Sequence, residues 1–360
     1  MNSFGNFVGL GMTALRSNFV PLEHPYKLNF SITYNCQSRC TICNIWQIKP
    51  KNELSLDEIR KFAKKNNYFR WIGITGGEPF LRSDLAEVVS AFKQNCKSLY
   101  LVTMPTNSLT SKERVVGEIK KLLDLRIPKL AITLSLDGDR ETHDKLRGVP
   151  GSFDKVMKLA RALRVLQRKH KNLFFMFGYT LSRFNQGGLE RAYQAVNAEL
   201  GGITHNDFHL NLAQTSKIYY NNADTDLSVK NNAAAREISA FIKQRRPAVG
   251  AIPTIEGVFL KNLVKFAKTG ISPMKSKSLD ASLFMDSYGN VYPSIMWPRR
   301  VGNVRKTCYD LDPILHSREA DSIRRLISEG REPSSWTSCE AYQSIVGRAT
   351  SLLALVSPLS

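Results

Sequence analysis

Apolar and polar residues follow two alternating periods along the chain, and together they predict a regular succession of strands and helices. Short apolar runs bounded by turn residues predict strands at residues 28–33, 71–75, 99–104, 130–136, 173–180 and 208–213. Apolar residues at helical spacing predict a helix that begins at Ser55 and further helices at residues 84–92, 111–123, 152–169, 189–200 and 229–243. Six strand–helix units in a row indicate a parallel sheet with helical crossovers.

Right-handed crossover connections curl such a sheet toward a barrel. Six units rather than eight predict an α/β fold, a partial (β/α)6 TIM-like barrel that is open on one side. In this prediction residues 1–25 form an N-terminal extension and residues 26–246 form the core barrel. Chemistry in such barrels collects at the C-terminal ends of the strands, so candidate functional residues are expected there.

The alternation changes after about Arg246. A helical stretch at residues 259–268 precedes two apolar runs that are separated by Gly289-Asn290, which is typical of a β-hairpin turn. Two short helices and an apolar helix from Glu340 follow. Residues 247–360 are therefore predicted to be a small α+β accessory region with its own small sheet. We expect this region to cover the open side of the barrel by packing.

Composition adds one piece of information about partners. The 42% hydrophobic and 23% charged residues are typical of a globular protein, and 51 Lys and Arg against 31 Asp and Glu leave a net charge of +20. A basic surface attracts anionic partners, which here include an anionic substrate, an acidic redox protein, nucleic acid or anionic lipid. A Lys-rich surface without such a partner is the alternative.

The two ends of the chain are apolar, but no uninterrupted apolar stretch approaches the ~20 residues of a membrane span. Residues 1–15 and 351–359 are candidates for peripheral membrane contact, and packing on the domain is the alternative. Residues 1–15 also lack a basic leader and a clear cleavage site, so no signal peptide is predicted.

Three cysteines after the first predicted strand form the most informative motif in the chain. Cys36, Cys40 and Cys43 have the spacing C-x3-C-x2-C, which allows one loop to direct three thiolates to one point. Cysteine thiolates are the usual ligands of iron–sulfur clusters, and a complete [4Fe–4S] set needs four. Three ligands would leave one iron open to a small molecule, as in the incomplete protein shells of catalytic metal sites. A zinc knuckle would need a nearby fourth ligand, yet the nearest downstream histidine is His143.

This loop resembles the signature of the radical S-adenosylmethionine (radical SAM) superfamily, and two downstream segments strengthen the resemblance. Residues 72–79 end in Gly-Gly-Glu-Pro, and residues 135–148 are similar to the fourth-strand segment of one large subgroup. The resemblance implies one [4Fe–4S] cluster on Cys36, Cys40 and Cys43, with S-adenosylmethionine (SAM) on the open iron. It also implies a reducing cytoplasm and a one-electron reductase such as a flavodoxin or ferredoxin as partner.

Contacts to SAM follow from the same resemblance. The Gly-Gly turn permits close backbone approach, and its Glu is expected to hold the methionine amino group with the backbone. Arg147 is expected either to pair with the SAM carboxylate or to bridge locally to Asp137 or Asp144. The residues implied to bind the cofactor are Ile42, Gly76, Gly77, Glu78, Pro79, Asn107, Ser135 and Arg147.

The accessory region resembles the SPASM and Twitch subgroups, in which additional cysteines hold auxiliary clusters. Here Ser294 stands where that family typically has a cysteine. Cys308 and Cys339 are too few for a second cluster and are predicted to be small buried hydrophobic residues. Tyr179 and His209 are substrate-facing candidates on strands five and six, with a buried core position as the alternative.

Three hypotheses for function remain at this point. The first is a radical SAM enzyme that reductively cleaves SAM and abstracts hydrogen from an anionic small molecule, peptide or lipid. The second is a radical SAM enzyme that modifies RNA, which the basic charge favours. The third is a non-catalytic electron-transfer or cluster-carrier protein, which would not need the Gly-Gly-Glu-Pro segment.

Overall fold

The computed structural model describes residues 3–229, 231–247 and 250–347. Within these ranges one nine-stranded sheet forms the centre of the protein. Its strands are β1 Lys27–Thr33, β2 Trp71–Gly76, β3 Leu101–Thr106, β4 Lys129–Ser135, β5 Leu173–Leu181, β6 Phe208–Leu212, β7 Ser282–Met285, β8 Asn290–Tyr292 and β9 Gly302–Asn303. The helices are α1 Ser3–Arg16, α2 Leu56–Lys65, α3 Leu85–Asn95, α4 Lys112–Asp124, α5 Arg140–Arg147, α6 Ser152–Lys169, α7 Leu189–Leu200, α8 Asn231–Lys243, α9 Ala251–Thr269, α10 Asp312–Leu315, α11 Arg318–Ser328 and α12 Ser338–Val346.

The strand order is β6-β5-β4-β3-β2-β1-β7-β8-β9, and each pair from β1 to β6 is parallel. All six predicted strands of the barrel are present in chain order, with a helix after each. The α/β fold class, with its parallel sheet and helical crossovers, is confirmed. Since these strands are parallel, all six C-terminal ends lie at one rim of the sheet.

The third strand begins two residues later than its predicted start and continues through Pro105 to Thr106. Proline lacks the N–H that a central strand donates. The pairing explains why it is tolerated here, because β3 pairs with β2 only up to Thr103, whereas β4 pairs along the whole strand and meets Pro105 at Thr133. Periodicity alone contains no information about where a neighbouring strand stops pairing.

The accessory region does not form a separate sheet, so that prediction is wrong. β7 pairs in parallel with β1, from Lys27 opposite Ser282 to Phe30 opposite Met285, and the hairpin β7–β8 extends the barrel sheet. Unpaired backbone N–H and C=O groups along a buried edge of β1 would be costly, and pairing with β7 supplies their hydrogen-bond partners. The division into residues 26–246 and 247–360 stays a prediction, but backbone hydrogen bonds cross it.

The last described helix, α12, closes the barrel from the inside at the N-terminal ends of the strands. The Lys27 ammonium of β1 donates to the carbonyl of Cys339 at 2.6 Å and to Gln343 Oε1 at 3.1 Å, and it lies 3.9 Å from the centre of the Trp71 ring. Trp71 in turn stacks on Tyr342 of α12, with ring centres 6.1 Å apart. Polar and aromatic packing therefore fills this part of the barrel.

Residues in β3, β4 and β5 alternate between buried side chains under the helices and half-exposed side chains on the inner face. The outward set includes Leu130, Ile132 and Leu134, which belong to the main core. The inward positions remain partly accessible, and this inner face of the barrel above α12 is called the chamber below. Its strand residues are Trp71, Thr103, Thr133, Met176, Thr180 and Asn211.

The N-terminal extension is mostly helical, since α1 covers Ser3–Arg16. Residues 351–359, the apolar C-terminal segment, lie outside the described residues. Among the residues that are described, no helix combines the length and apolar character that a membrane crossing requires.

Candidate active site

The three motif cysteines lie in the loop that leaves the C-terminal end of β1, at the rim where parallel barrels place their chemistry. Cys40 is buried, Cys36 and Cys43 are half-buried, and all three are free thiols. Burial, together with a smaller contribution from neighbouring motif thiols, raises the pKa of both Cys36 and Cys43 to about 12. The thiols of Cys36 and Cys43 are thus each influenced by the charge of Cys40.

Hydrogen-bond donors surround these sulfurs. Arg147 Nη1 lies 3.6 Å from Cys40 Sγ, Asn107 Nδ2 lies 3.6 Å from Cys36 Sγ, and the Ser38 hydroxyl lies 3.0 Å from Cys40 Sγ. The backbone N–H of Ser38 also lowers the pKa of Cys36. Donors of this kind stabilise thiolate over thiol, which is the form that binds metal.

Helix α5, which the sequence interpretation missed, holds the cysteine loop in place. The backbone N–H groups of Arg39 and Thr41 donate to the carbonyls of Arg147 and Leu146, each at 2.9 Å. The helix ends at Gly148, which has φ +62°, and a Cβ there would lie 2.6 Å from the Arg39 carbonyl oxygen. The signals for this helix were present in the sequence, because Asp139 is an N-cap residue and a glycine follows the last turn.

Arg147 makes the local bridge that was one of its two predicted roles. Its Nη2 lies 2.6 Å from Asp137 Oδ2, and both side chains are largely buried. Burial opposes a charged guanidinium, but Asp137 and Cys40 more than offset it and raise the pKa of Arg147. The side chain therefore remains a cation beside the cysteine sulfurs, where thiolate charge would develop.

The Gly-Gly turn at the end of β2 contacts the cysteine loop directly. Gly77 N–H donates to the Thr33 carbonyl and Glu78 N–H donates to the Asn35 carbonyl, both at 2.8 Å. A Cβ on Gly77 would lie 2.1 Å from the Asn35 carbonyl oxygen, and one on Gly76 would lie 2.1 Å from that of Thr33. Both glycines are thus required where the chain that precedes Cys36 crosses the end of β2.

Glu78 is 1% exposed, and its carboxylate accepts hydrogen bonds that hold the C-terminal end of the neighbouring strand β3 in place. Its Oε2 accepts from Asn107 N–H at 2.7 Å and its Oε1 accepts from Phe80 N–H at 3.2 Å. Burial raises the pKa of Glu78 to about 7 in spite of these bonds. The carboxylate joins the turn after β2 to the exit of β3, which sequence reasoning did not anticipate.

The remaining predicted cofactor residues lie at the same rim. Pro79 begins a short 3-10 helix, Ser135 is the last residue of β4, and Asn107 follows β3 against Cys36. The carbonyl of Ile42 accepts from Asn222 Nδ2 at 2.8 Å. All eleven predicted site residues therefore gather at the C-terminal ends of β1 to β4.

A segment after β6, at residues 213–229, also reaches this rim and was missed. Asn44 N–H donates to the Tyr220 carbonyl at 2.8 Å, and Tyr34 Oη donates to the Ile218 carbonyl at 2.9 Å. Tyr219 is buried with its hydroxyl against Thr75. This segment holds the cysteine loop from the open side of the barrel, and no sequence motif marks it.

Two substrate-facing candidates have different outcomes. Tyr179 points away from the inner face into the core, and its hydroxyl donates to the Asn185 carbonyl at 3.0 Å. It is therefore a buried core residue, which was the predicted alternative, and not a substrate-facing one. His209 is on the inward face of β6 but is only 4% exposed, and its Nδ1 lies 3.0 Å from Glu256 Oε1 of α9. The same Glu256 accepts from Tyr342 Oη of α12, so a buried polar cluster underlies the chamber.

The other three cysteines lie outside the motif loop in the sequence. Cys96 is buried at the end of α3. Cys308 was predicted to be buried, but it is exposed, with φ +51°, where a short 3-10 helix ends. Cys339 is only half-buried and packs beside Tyr219, so the prediction of full burial is wrong for both accessory cysteines.

The donor set fits a cluster with three protein ligands. Three free thiols come from one loop, N–H donors lie beside two of them, and the turn after β2 and helix α5 fix the loop by backbone hydrogen bonds. Across the described ranges, no three His, Cys, Asp or Glu side chains are grouped to hold a single metal ion.

Comparisons with known proteins agree with this architecture. The solved structure of anSMEcpe with bound AdoMet matches with a TM-score of 0.60 at 14% identity, over 92% of this chain and 96% of that one. The structure of Streptococcus suis SuiB bound to S-adenosylmethionine matches with a TM-score of 0.59 at 15% identity, over 94% of this chain and 76% of that one. The fold is that of the partial barrels found in such proteins.

A family profile matches part of the chain. Residues 30–186 match the profile of the Radical SAM superfamily. Its members are enzymes that use a [4Fe–4S] cluster and SAM.

Curated relatives are similar over part of their length. They include GTP 3′,8-cyclase of Cronobacter sakazakii, 28% identical over 44% of this chain and 52% of the relative. AdoMet-dependent heme synthase of Methanosarcina barkeri is 26% identical over 52% of this chain and 51% of the relative. The subtilosin biosynthesis protein AlbA of Bacillus subtilis is 28% identical over 42% of this chain and 33% of the relative. The chain thus spans about half the length of the first two and less of the third.

Proposed function

We propose that this protein is a radical SAM enzyme in which Cys36, Cys40 and Cys43 hold one [4Fe–4S] cluster. The observation that carries the proposal is the placement of three free thiols in one loop at the rim of the barrel, with N–H donors beside two of their sulfurs. When bound, the cluster and SAM would supply a 5′-deoxyadenosyl radical that abstracts hydrogen from an unactivated carbon.

The chain's own residues would bind and orient the cofactors. Gly76 and Gly77 allow the chain that precedes Cys36 to pass close to the turn, and Glu78 fixes that turn through Asn107 and Phe80. In this proposal Glu78 acts mainly through the backbone that it holds in place, and the backbone carbonyl groups of Gly76 and Gly77 accept from the amino group of the methionine part of SAM. Ser135 and Ile42 would contact the nucleoside part.

Arg147 would hold positive charge beside Cys40. Its ion pair with Asp137 fixes the guanidinium, so the charge is available without a rearrangement. Hydrogen bonds and net charge near the sulfurs are among the determinants of cluster potential. We therefore assign Arg147 and Asn107 to positioning and charge compensation of the thiolates, in addition to any contact with SAM.

The chamber beneath the rim is the proposed substrate site. Inward residues of β3, β4 and β5 are half-exposed and mostly polar or small. Helix α12 fills the barrel at the N-terminal ends of the strands, and the segment at residues 213–229 packs against the cysteine loop at the other end. Exclusion of water protects a reactive intermediate from side reactions. The net charge of +20 favours an anionic small molecule, peptide or lipid as substrate, and an acidic flavodoxin or ferredoxin as electron donor.

Anaerobic reconstitution followed by iron and sulfide counting tests the proposal. We expect one [4Fe–4S] cluster per chain, and 5′-deoxyadenosine from SAM after reduction. Substitution of Cys36, Cys40 and Cys43 by alanine should remove both, whereas the matched control Cys96→Ala should retain both because that thiol is buried at the end of α3. A cluster that survives the triple substitution would disprove the ligand assignment.

A further inference from the structure

Helix α1 presents an uncovered apolar face. Among the described residues, twelve large hydrophobic side chains are exposed, and six of them lie between residues 4 and 20. Phe4 and Met12 are 73% and 66% exposed, and Phe19 beyond the helix is 73% exposed. The six side chains are Phe4, Phe7, Val8, Met12, Phe19 and Val20. Since scattered single exposed residues are normal, it is the concentration in one segment that indicates an interaction surface.

The helical spacing collects these side chains on one side of α1. Phe4, Val8 and Met12 are four residues apart, so they form one stripe along the helix. Asn6 and Ala14, by contrast, are buried against the barrel, and Asn6 Nδ2 donates to the Leu99 carbonyl. The apolar stripe is therefore separate from the side that attaches the helix to the protein.

The attachment fixes where this face points. Asn6 reaches the chain just before β3, and Phe7 lies against Tyr100 with ring centres 5.5 Å apart. At the other end of the helix, Lys277 Nζ donates to the Ser17 carbonyl at 2.9 Å. These contacts hold α1 at the N-terminal ends of the strands, on the side of the barrel opposite to the cysteine loop.

Helix α1 itself contains no carboxylate, and basic side chains border it. Residues 3–22 contain no Asp or Glu, and Glu23 is the first carboxylate of the chain. Arg16 is exposed at the end of the helix, Lys97 is exposed beside the Asn6 attachment, and the Arg70 guanidinium lies against Gly9. An apolar helix face with basic groups at its border matches the interface of an anionic bilayer, where apolar side chains enter the acyl boundary and cations meet phosphates.

We propose that α1 and residues 17–20 dock the protein on an anionic membrane surface, with the helix parallel to the bilayer plane. In this orientation the barrel stands on the membrane with the cysteine loop and the chamber mouth on the far side. An electron donor and SAM would then approach without obstruction. The proposal does not depend on the reaction that the barrel catalyses.

Co-sedimentation of the full chain with vesicles tests the proposal. We expect binding to phosphatidylcholine vesicles that contain phosphatidylglycerol, and weaker binding to pure phosphatidylcholine or at high salt. The double variant Phe4→Ser/Met12→Ser should bind at least about tenfold more weakly, because two large side chains lose interfacial burial. The matched control is Val165→Ser/Phe184→Ser, which removes two exposed apolar side chains on α6 and on the loop after β5. Circular dichroism and thermal unfolding check that all forms are folded.

Three results would overturn the proposal. The first is that the wild-type chain does not bind either vesicle. The second is that the α1 variant binds as well as the wild type, or that the control variant loses binding equally. The third is that light scattering shows a wild-type dimer that Phe4→Ser/Met12→Ser dissociates, without vesicle binding, which would identify the face as a contact between two copies.

Discussion

Among the residues of the candidate active site, Gly77 is a position where the addition of a single methyl group should strongly disrupt the local backbone. In Gly77→Ala, the ideal Cβ lies 2.1 Å from the Asn35 carbonyl oxygen and 2.6 Å from the Asn35 carbonyl carbon, whereas real Cβ contacts essentially never fall under 3.0 Å. The obstacle is backbone, which has no rotamer to change. The end of β2 and the chain before Cys36 must therefore separate by roughly 1 Å.

This separation has a cost that the structure allows us to estimate. The hydrogen bonds Gly77 N–H to Thr33 and Glu78 N–H to Asn35 are both 2.8 Å long, and a displacement of this size would break them. Two lost hydrogen bonds contribute about 0.5–1.5 kcal/mol each, and overpacking adds about 1–3 kcal/mol. We expect the free energy of unfolding to fall by about 2–6 kcal/mol in total.

The effect on the cluster should be larger than the effect on stability. Metal sites tolerate errors of only about 0.2 Å in ligand distances, and Cys36 directly follows the residue that must move. Gly77→Ala should therefore lose much of its iron after anaerobic reconstitution. The assay combines urea unfolding of the apoprotein with iron counting and the visible absorbance of the reconstituted protein.

Two other glycines give matched controls. Gly117→Ala in α4 meets nothing within 4 Å and should stabilise the chain slightly, by about 0.5–1 kcal/mol, because alanine favours helix. Gly73→Ala lies 3.0 Å from Asn29 Oδ1, a side-chain atom that is able to move, and should retain the cluster. The reasoning would be refuted by a Gly77→Ala protein whose stability and iron content equal those of the wild type.

Three further predictions follow from buried charges and contacts at the same rim. Arg147→Met should lower the free energy of unfolding by about 3–5 kcal/mol, because it leaves Asp137 buried without its partner. Adding the second substitution Asp137→Asn should restore part of this loss. Equal urea midpoints of the single and double variants would contradict this expectation. Glu78 has a pKa of about 7 in the folded protein against the usual 4.5. Between these pH values the folded protein binds a proton at Glu78 that the unfolded chain has lost. The free energy of unfolding should therefore fall by about 3 kcal/mol as the pH rises from 4.5 to 7. The difference in unfolding free energy between wild type and Glu78→Gln across this pH range measures that contribution, and a pH-independent difference would show that Glu78 does not titrate there. Asn222→Ala should loosen the contact to the Ile42 carbonyl and increase hydrogen exchange at residues 41–44, and unchanged exchange would exclude a role for the segment at residues 213–229 in fixing the loop.

Much of the candidate site follows from local sequence. The cysteine spacing, the Gly-Gly-Glu-Pro turn and Ser135 each lie at the end of a predicted strand, and parallel strands necessarily bring their ends to one rim. The same alternation predicted six strand–helix units, which are present in the stated order. These features are local in the chain, and short-range periodicity is sufficient to find them.

Other features depend on contacts between distant parts of the chain, which one sequence does not display. The pairing of β7 with β1 joins residues about 250 positions apart, and hydrophobic patterning alone does not state which strand edge a hairpin will extend. Three other contacts also join distant parts of the chain and are not evident from one sequence. They are the hydrogen bond from Asn222 to the Ile42 carbonyl, the approach of Arg147 to Cys40, and the close packing of Gly77 against the Asn35 carbonyl. The sequence by itself determined which residues reach the rim of the barrel. Only the tertiary structure decided what each one touches there, because those contacts depend on the curvature of the sheet and on close packing between elements far apart in sequence.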